Sequence, residues 1–219
     1  MDKLSKNFDL IVPEHPGFGA SETPEWLDSI DDLAYFYLNF LDELKLTDVH
    51  LVGLSLGGWI AAELAVRNTS RLKSLTLVDS AGIYVKGVPQ FDIFLCDDAE
   101  RMRNTFHDQA IAEQQIKFLS DVADEDIVLK NRYTSAKLLW QPRAYNPNLV
   151  KWLHRIDVAT LIIWGDKDRL FPLDYGETFQ ALIPGAQLRV IAECGHLPNI
   201  EKADEFCETL ESFIGNMAT

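Results

Sequence analysis

Apolar residues along the chain fall into short, largely unbroken runs, separated by stretches in which they recur every three or four positions. The runs FDLIVP (Phe8 to Pro13), VHLV (Val49 to Val52), SLTLVD (Ser74 to Asp79), TLIIW (Thr160 to Trp164) and QLRVI (Gln187 to Ile191) are predicted strands. Between them, Glu25 to Leu46 carries Trp26, Ile30, Leu33, Tyr37, Phe40, Leu41 and Leu44 on one helical stripe with acidic residues opposite. Further helices are predicted from Trp59, over Leu173 to Leu182, and over Ile200 to Ile214. Strands that are apolar on both sides, alternating with helices, predict an α/β fold with a mostly parallel sheet covered on both faces.

The alternation lapses between about Gly82 and Asp157, where helical segments fit Asp97 to Ser120, Glu125 to Trp140, and a third opened by Asn146 with Pro147 in its first position. Residues 1–81 and 158–219 therefore read as one core and 82–157 as a helical insertion. Because it starts from the C-terminal end of a strand, it is expected to lie over the site as a lid. Its Phe91, Ile93, Phe94, Leu95, Trp140 and Trp152 suggest an apolar acyl or aryl group, with simple packing as the plainer reading of each.

The abrupt change of pattern at Gly53-Leu54-Ser55-Leu56-Gly57-Gly58 sets Ser55 on a strand-to-helix turn. Such a turn strains its apex residue; glycines at 53 and 57 are expected to keep it passable and to leave Oγ of Ser55 exposed. The positive end of the following helix faces the same spot, with the backbone N–H of Leu56 free for a developing oxyanion. A glycine-rich turn with a bystander serine, or a phosphate cradle, is the bland alternative.

Composition narrows the partners. With 47% apolar and 25% charged residues, the 219-residue chain suits one sizeable soluble core. Its 20 Lys+Arg against 34 Asp+Glu give a net charge of −14, which argues against nucleic acid. No run of about 18 apolar residues predicts a membrane span, and Met1-Asp2-Lys3-Leu4 opens no signal peptide, so a cytoplasmic location is expected. Cys96, Cys194 and Cys207 are odd in number and lack C-x-x-C spacing, which suggests neither a disulfide framework nor a zinc site.

A serine hydroxyl needs a base, and the base an orienting carboxylate. Asp166 and Asp168 stand straight after one predicted strand in WGDKDRLFP, and His196 straight after the next in ECGHLP. Asp79, closing a further strand, is the reserve acid. In a parallel sheet all of them leave the same edge as Ser55, and the order Ser, Asp, His fits an elbow-type hydrolase. His15, His50, His107 and His154 lack that placement and read as surface or packing residues.

With these residues in view the chain resembles the α/β-hydrolase superfamily, in the lidded branch of carboxylesterases, lipase-like enzymes, proline iminopeptidases and C–C bond hydrolases. FDLIVPEHPGFGAS is similar to the family's strand and P-G-F-G-x-S loop, VGLSLGG to its elbow, WGDKDRLFP to its acid loop and CGHLP to its histidine loop. The resemblance implies Ser55 as nucleophile, His196 as base, Asp168 rather than Asp166 as acid, the Leu56 N–H as oxyanion donor, and no metal or cofactor. It implies hydrolysis of a small apolar carboxylic ester through an acyl-enzyme. C–C bond hydrolysis of ring-cleavage products is the alternative, and a non-catalytic hydrolase-like body the reading from another class. The family also sets three strands and a His-Gly oxyanion loop ahead of the strand that here is FDLIVP, and Met1 to Lys6 supplies neither. The expectation is an incomplete copy with open strand edges; the alternatives are a natural short form, its edges covered in a homo-oligomer, or a body without turnover.

Overall fold

The computed structural model describes residues 3–121 and 124–216. Met1 and Asp2, at the start of the stretch expected to hold no leader, lie outside the described residues. A 3-10 turn over Leu4–Lys6 comes first, then helix α1, Ile30–Glu43. It starts later than the apolar stripe predicts because Ser29 caps it: Ser29 Oγ accepts the Asp32 N–H, and the Asp32 carboxylate accepts the Ser29 N–H. Trp26 stays outside the helix, half-exposed and stacked on Phe36.

Strand β1 (Val49–Leu54) passes through Ser55 into α2 (Leu56–Arg67), and β2 (Leu72–Val78) follows. Residues 82–157 then carry α3 (Asp98–Thr105), α4 (Gln109–Asp121) and α5 (Glu125–Leu139), with 3-10 turns at Leu149–Lys151 and Leu153–Arg155. The alternation resumes with β3 (Ala159–Gly165), α6 (Leu173–Leu182) and β4 (Gln187–Ile191), and closes on α7 (Pro198–Glu201) and α8 (Ala203–Gly215).

Three further expected helices differ. Asp97 to Ser120 divides at Phe106 to Asp108, where the Glu201 carboxylate takes the N–H groups of His107 and Asp108 and Phe106 is buried. The segment after Asn146 forms 3-10 turns because the N–H groups of Leu149, Lys151 and Trp152 bond three residues back rather than four. Ile200 to Ile214 breaks at Lys202, whose extended φ of −132° interrupts the helical path.

The sheet is parallel throughout, in the order β1-β2-β3-β4. Leu161 and Ile163 of β3 pack with Phe206, Leu210 and Phe213 of α8, while Ile162 and Trp164 face the larger core shared with Leu33, Leu64 and Phe179. Each of the three α8 side chains contributes about 1.5–3 kcal/mol by burial, which holds the last helix on its face. The expected strand Phe8 to Pro13 is not one. It is irregular chain with Ile11 and Val12 49% and 64% exposed, since a strand exists only through a ladder and none pairs with it among the described residues. Strand β1 is accordingly outermost, with Val52 exposed.

Candidate active site

Register brings the candidate residues to one rim. Leu54 pairs with Val78, Val78 with Ile163, and Gly165 with Ile191, so the segments holding Ser55, Asp79, Asp168 and His196 all leave the C-terminal edge together. Ser55 sits at φ +54°, ψ −115°, a conformation that non-glycine residues adopt only where the surroundings impose it. The Ser55 N–H reaches Val78 O at 2.9 Å, and its carbonyl accepts from Trp59 and Ala81 at 3.2 Å each. A Cβ on Gly53 would stand 2.3 Å from the Gly57 carbonyl oxygen, and one on Gly58 2.5 Å from Ser80 Oγ. Gly57, expected to share the crowding, would meet nothing nearer than His15 Nε2 at 3.9 Å. The close approaches that permit the turn are therefore at 53 and 58. Leu56 opens α2, so its N–H is one of those a helix leaves without an internal acceptor.

His196 joins the other two expected residues. Its Nε2 lies 2.7 Å from Ser55 Oγ and its Nδ1 2.7 Å from Asp168 Oδ2. In the tautomer with the proton on Nδ1, His196 donates to the Asp168 carboxylate and accepts from the serine hydroxyl through Nε2. Asp168 and His196 are 5% and 3% exposed, and the Phe171 ring lies 5.7 Å from the imidazole. Asp168 Oδ1 accepts the N–H groups of Leu170 and Phe171 at 2.8 and 3.1 Å, which fixes the carboxylate. Asp166 does other work: it binds Lys167 Nζ at 2.9 Å and the Cys194 N–H at 3.3 Å. Burial would raise its carboxyl, but those bonds outweigh burial and hold it below the ordinary range. Asp79, Asp168 and His196 have donor types suited to a cation, yet both ring nitrogens of His196 are already engaged, by Asp168 and by Ser55.

A family model described as alpha/beta hydrolase fold matches residues 1–203. The chain belongs to that family. Lipase 1 of Psychrobacter immobilis is 28% identical over 223 residues, which span 95% of this chain and 69% of the lipase. The 2-hydroxymuconate semialdehyde hydrolase of Pseudomonas putida is 26% identical over 231 residues, 97% of this chain and 79% of that one. The solved meta-cleavage product hydrolase of Pseudomonas fluorescens IP01 shares the fold at TM-score 0.80 and 23% identity, over 98% of this chain and 82% of its own. The protein is thus a hydrolase of the alpha/beta hydrolase fold. No helix among its described residues is long and apolar enough to cross a membrane.

Around the site of this alpha/beta hydrolase fold protein stand residues that sequence reasoning passed over. Glu201 accepts from the Gly195 N–H at 2.8 Å and from those of His107 and Asp108 at 2.9 Å each, and the His196 N–H donates to Thr105 O at 2.8 Å. The break between α3 and α4 is thereby tied to the histidine loop. His15, read as a surface or packing residue, binds Tyr37 Oη through Nδ1 at 2.6 Å beside the elbow, and burial pulls its imidazole below the ordinary range. His50 pairs with Ser74 and His107 Nε2 with Glu193. Cys96, Cys194 and Cys207 are free thiols, and burial pushes Cys194 upward. Of the six apolar residues weighed as pocket lining, with packing the plainer reading, Leu95, Trp140 and Trp152 are exposed, while Phe91, Ile93 and Phe94 pack on the core.

Proposed function

We propose that this protein is a serine hydrolase that cleaves a small apolar carboxylic ester. The observation that carries the reading is the unbroken relay Ser55 Oγ, His196 Nε2 and Nδ1, Asp168 Oδ2, with 2.7 Å at each step, ending on a serine in strained backbone geometry. Ser55 attacks the carbonyl carbon as His196 takes its proton; the alcohol leaves with that proton, and His196 then activates water against the acyl-enzyme. Asp168 steadies the imidazolium, and the Leu56 N–H holds the oxyanion at the head of α2. Residues 82–157 act as the lid. Its attachments support that role: Thr134 Oγ1 donates to Gly17 O, Asn131 Oδ1 accepts the Gly19 N–H, and Thr105 O accepts the His196 N–H.

A fluorophosphonate probe tests the reading directly. Labelling of the intact chain that disappears in Ser55→Ala is expected, whereas an unlabelled wild type would favour a hydrolase-like binding body. A second reaction, C–C bond hydrolysis of a ring-cleavage product by the same residues, draws support from the likeness to 2-hydroxymuconate semialdehyde hydrolase. Turnover of a p-nitrophenyl ester series against that of a 2-hydroxy-6-oxo-dienoate separates the two, and ester hydrolysis is expected to dominate.

A further inference from the structure

Asp79 follows β2 at φ +41°, its side chain fully buried beside the relay. Oδ1 accepts the Gly165 N–H at 2.9 Å, and Oδ2 meets no N–H or O–H donor among the described residues. An oxygen of Asp79, an oxygen of Asp168 and a ring nitrogen of His196 all lie within 4.8 Å of one another. Two buried carboxyls this close repel each other when both are ionised, because water does not screen them, and this favours a proton on one of the pair. The donors decide which one. Asp168 receives the Leu170 N–H, the Phe171 N–H and His196 Nδ1–H, whereas among the described residues Asp79 receives only the Gly165 N–H; a carboxyl with fewer donors is the one that keeps a proton. The other groups facing Asp79 are His196 and Cys194 from the loop after β4 and Glu201 from α7. Burial first, then the charge of Asp168, hold the Asp79 carboxyl well above the usual carboxylate range.

We propose that Asp79 bears this proton and donates it through Oδ2–H to the Asp168 carboxylate, making Asp79 a positioning residue that acts on Ser55 through Asp168 and His196. The proton stays on Asp79 throughout the cycle, so the hydrogen bond orients Asp168 without entering the reaction. The catalytic consequence rests on Asp168 being the orienting acid; the protonation itself does not.

Two measurements need no substrate. Asn cannot ionise, whereas the folded wild type keeps a proton that its unfolded chain releases above about pH 4. The folded carboxyl lies above the unfolded value, so this group's contribution is greatest at low pH and is lost as pH rises. Urea unfolding from about pH 4.5 to about pH 8 is therefore expected to favour Asp79→Asn over wild type by up to roughly tenfold more in the folding equilibrium constant per pH unit. A difference that stays flat across the range overturns the proposal. Infrared spectra at neutral pH are expected to contain a protonated-carboxyl stretch that disappears in Asp79→Asn; its absence from the wild type overturns the proposal as well.

The third measurement reads orientation. With p-nitrophenyl butyrate, Asp79→Ala is expected to lower kcat about tenfold or more with KM little moved, an effect of the size that a lost supporting contact produces. Asp79→Asn, whose Nδ2 can donate to Asp168, is expected to recover most of that loss, and equal damage from Ala and Asn refutes the donor role. A wild type without ester turnover would refute the proposed reaction and leave the first two measurements deciding on the proton.

Discussion

The elbow makes opposite demands on two glycines that the motif treats alike. At Gly53 an added Cβ would stand 2.3 Å from Gly57 O, 2.6 Å from Gly57 C and 2.8 Å from Gly58 Cα. All three are backbone atoms of the first turn of α2, so no side chain can rotate away; the helix start must shift, and Ser55 with it. Overpacking of this kind costs about 1–3 kcal/mol, which for a chain of this size lowers Tm by roughly 2–12 °C. At Gly57 the nearest atom is 3.9 Å away, and the residue has helical rather than left-handed backbone. Alanine there gains helix propensity, up to about 0.5–1 kcal/mol. Gly53→Ala is therefore expected to destabilise and to slow fluorophosphonate labelling, while Gly57→Ala is expected to hold or raise the urea midpoint. The assay is paired urea unfolding of the two variants at unchanged m-value. Equal destabilisation by both, or the larger loss at Gly57, would refute the packing account of the turn.

Four other substitutions separate roles within the site and its frame. Asp168→Asn is expected to cut turnover by about 10⁴, because an amide facing Nδ1 favours the tautomer whose Nε2 can no longer accept the serine proton. Asp166→Asn loses only a solvent-facing pair with Lys167 and one long bond, so ester kinetics should change a few-fold at most; equal losses would refute the assignment. Glu201→Ala leaves the N–H groups of Gly195, His107 and Asp108 without their acceptor, and urea unfolding should register a loss of about 2 kcal/mol or more. Ser29→Ala removes the cap of α1 and is expected to cost about 1 kcal/mol, with probe labelling unchanged.

What the sequence reveals here follows the range of the forces involved. The central strands β2 and β3 are legible because runs such as TLIIW are apolar on both sides, which suits a sheet covered on both faces. The convergence of Ser55, Asp168 and His196 is legible for a related reason: parallel strands in register put their following loops on one rim. Phe8 to Pro13 has the same local signature and fails as a strand, because apolar character calls for burial but only a neighbour's N–H and C=O groups can make a ladder. The break after Thr105 is equally invisible locally. Its cause is a carboxylate at Glu201, nearly half the chain away in sequence and brought close only by folding.

Asp79 takes this reasoning one step further. A carboxylate at the end of a strand can be read from the residues alone, and on that basis it competes with Asp168 for the same role. What divides the two is the number of donors each meets after folding, among the described residues three at Asp168 and one at Asp79. Three of those four donors come from backbone N–H groups, of Gly165, Leu170 and Phe171, and every residue has one to offer. Residue identity therefore says nothing about where they point. The proposed division of labour between orienting acid and supporting donor therefore rests on the backbone geometry of the β3 loop.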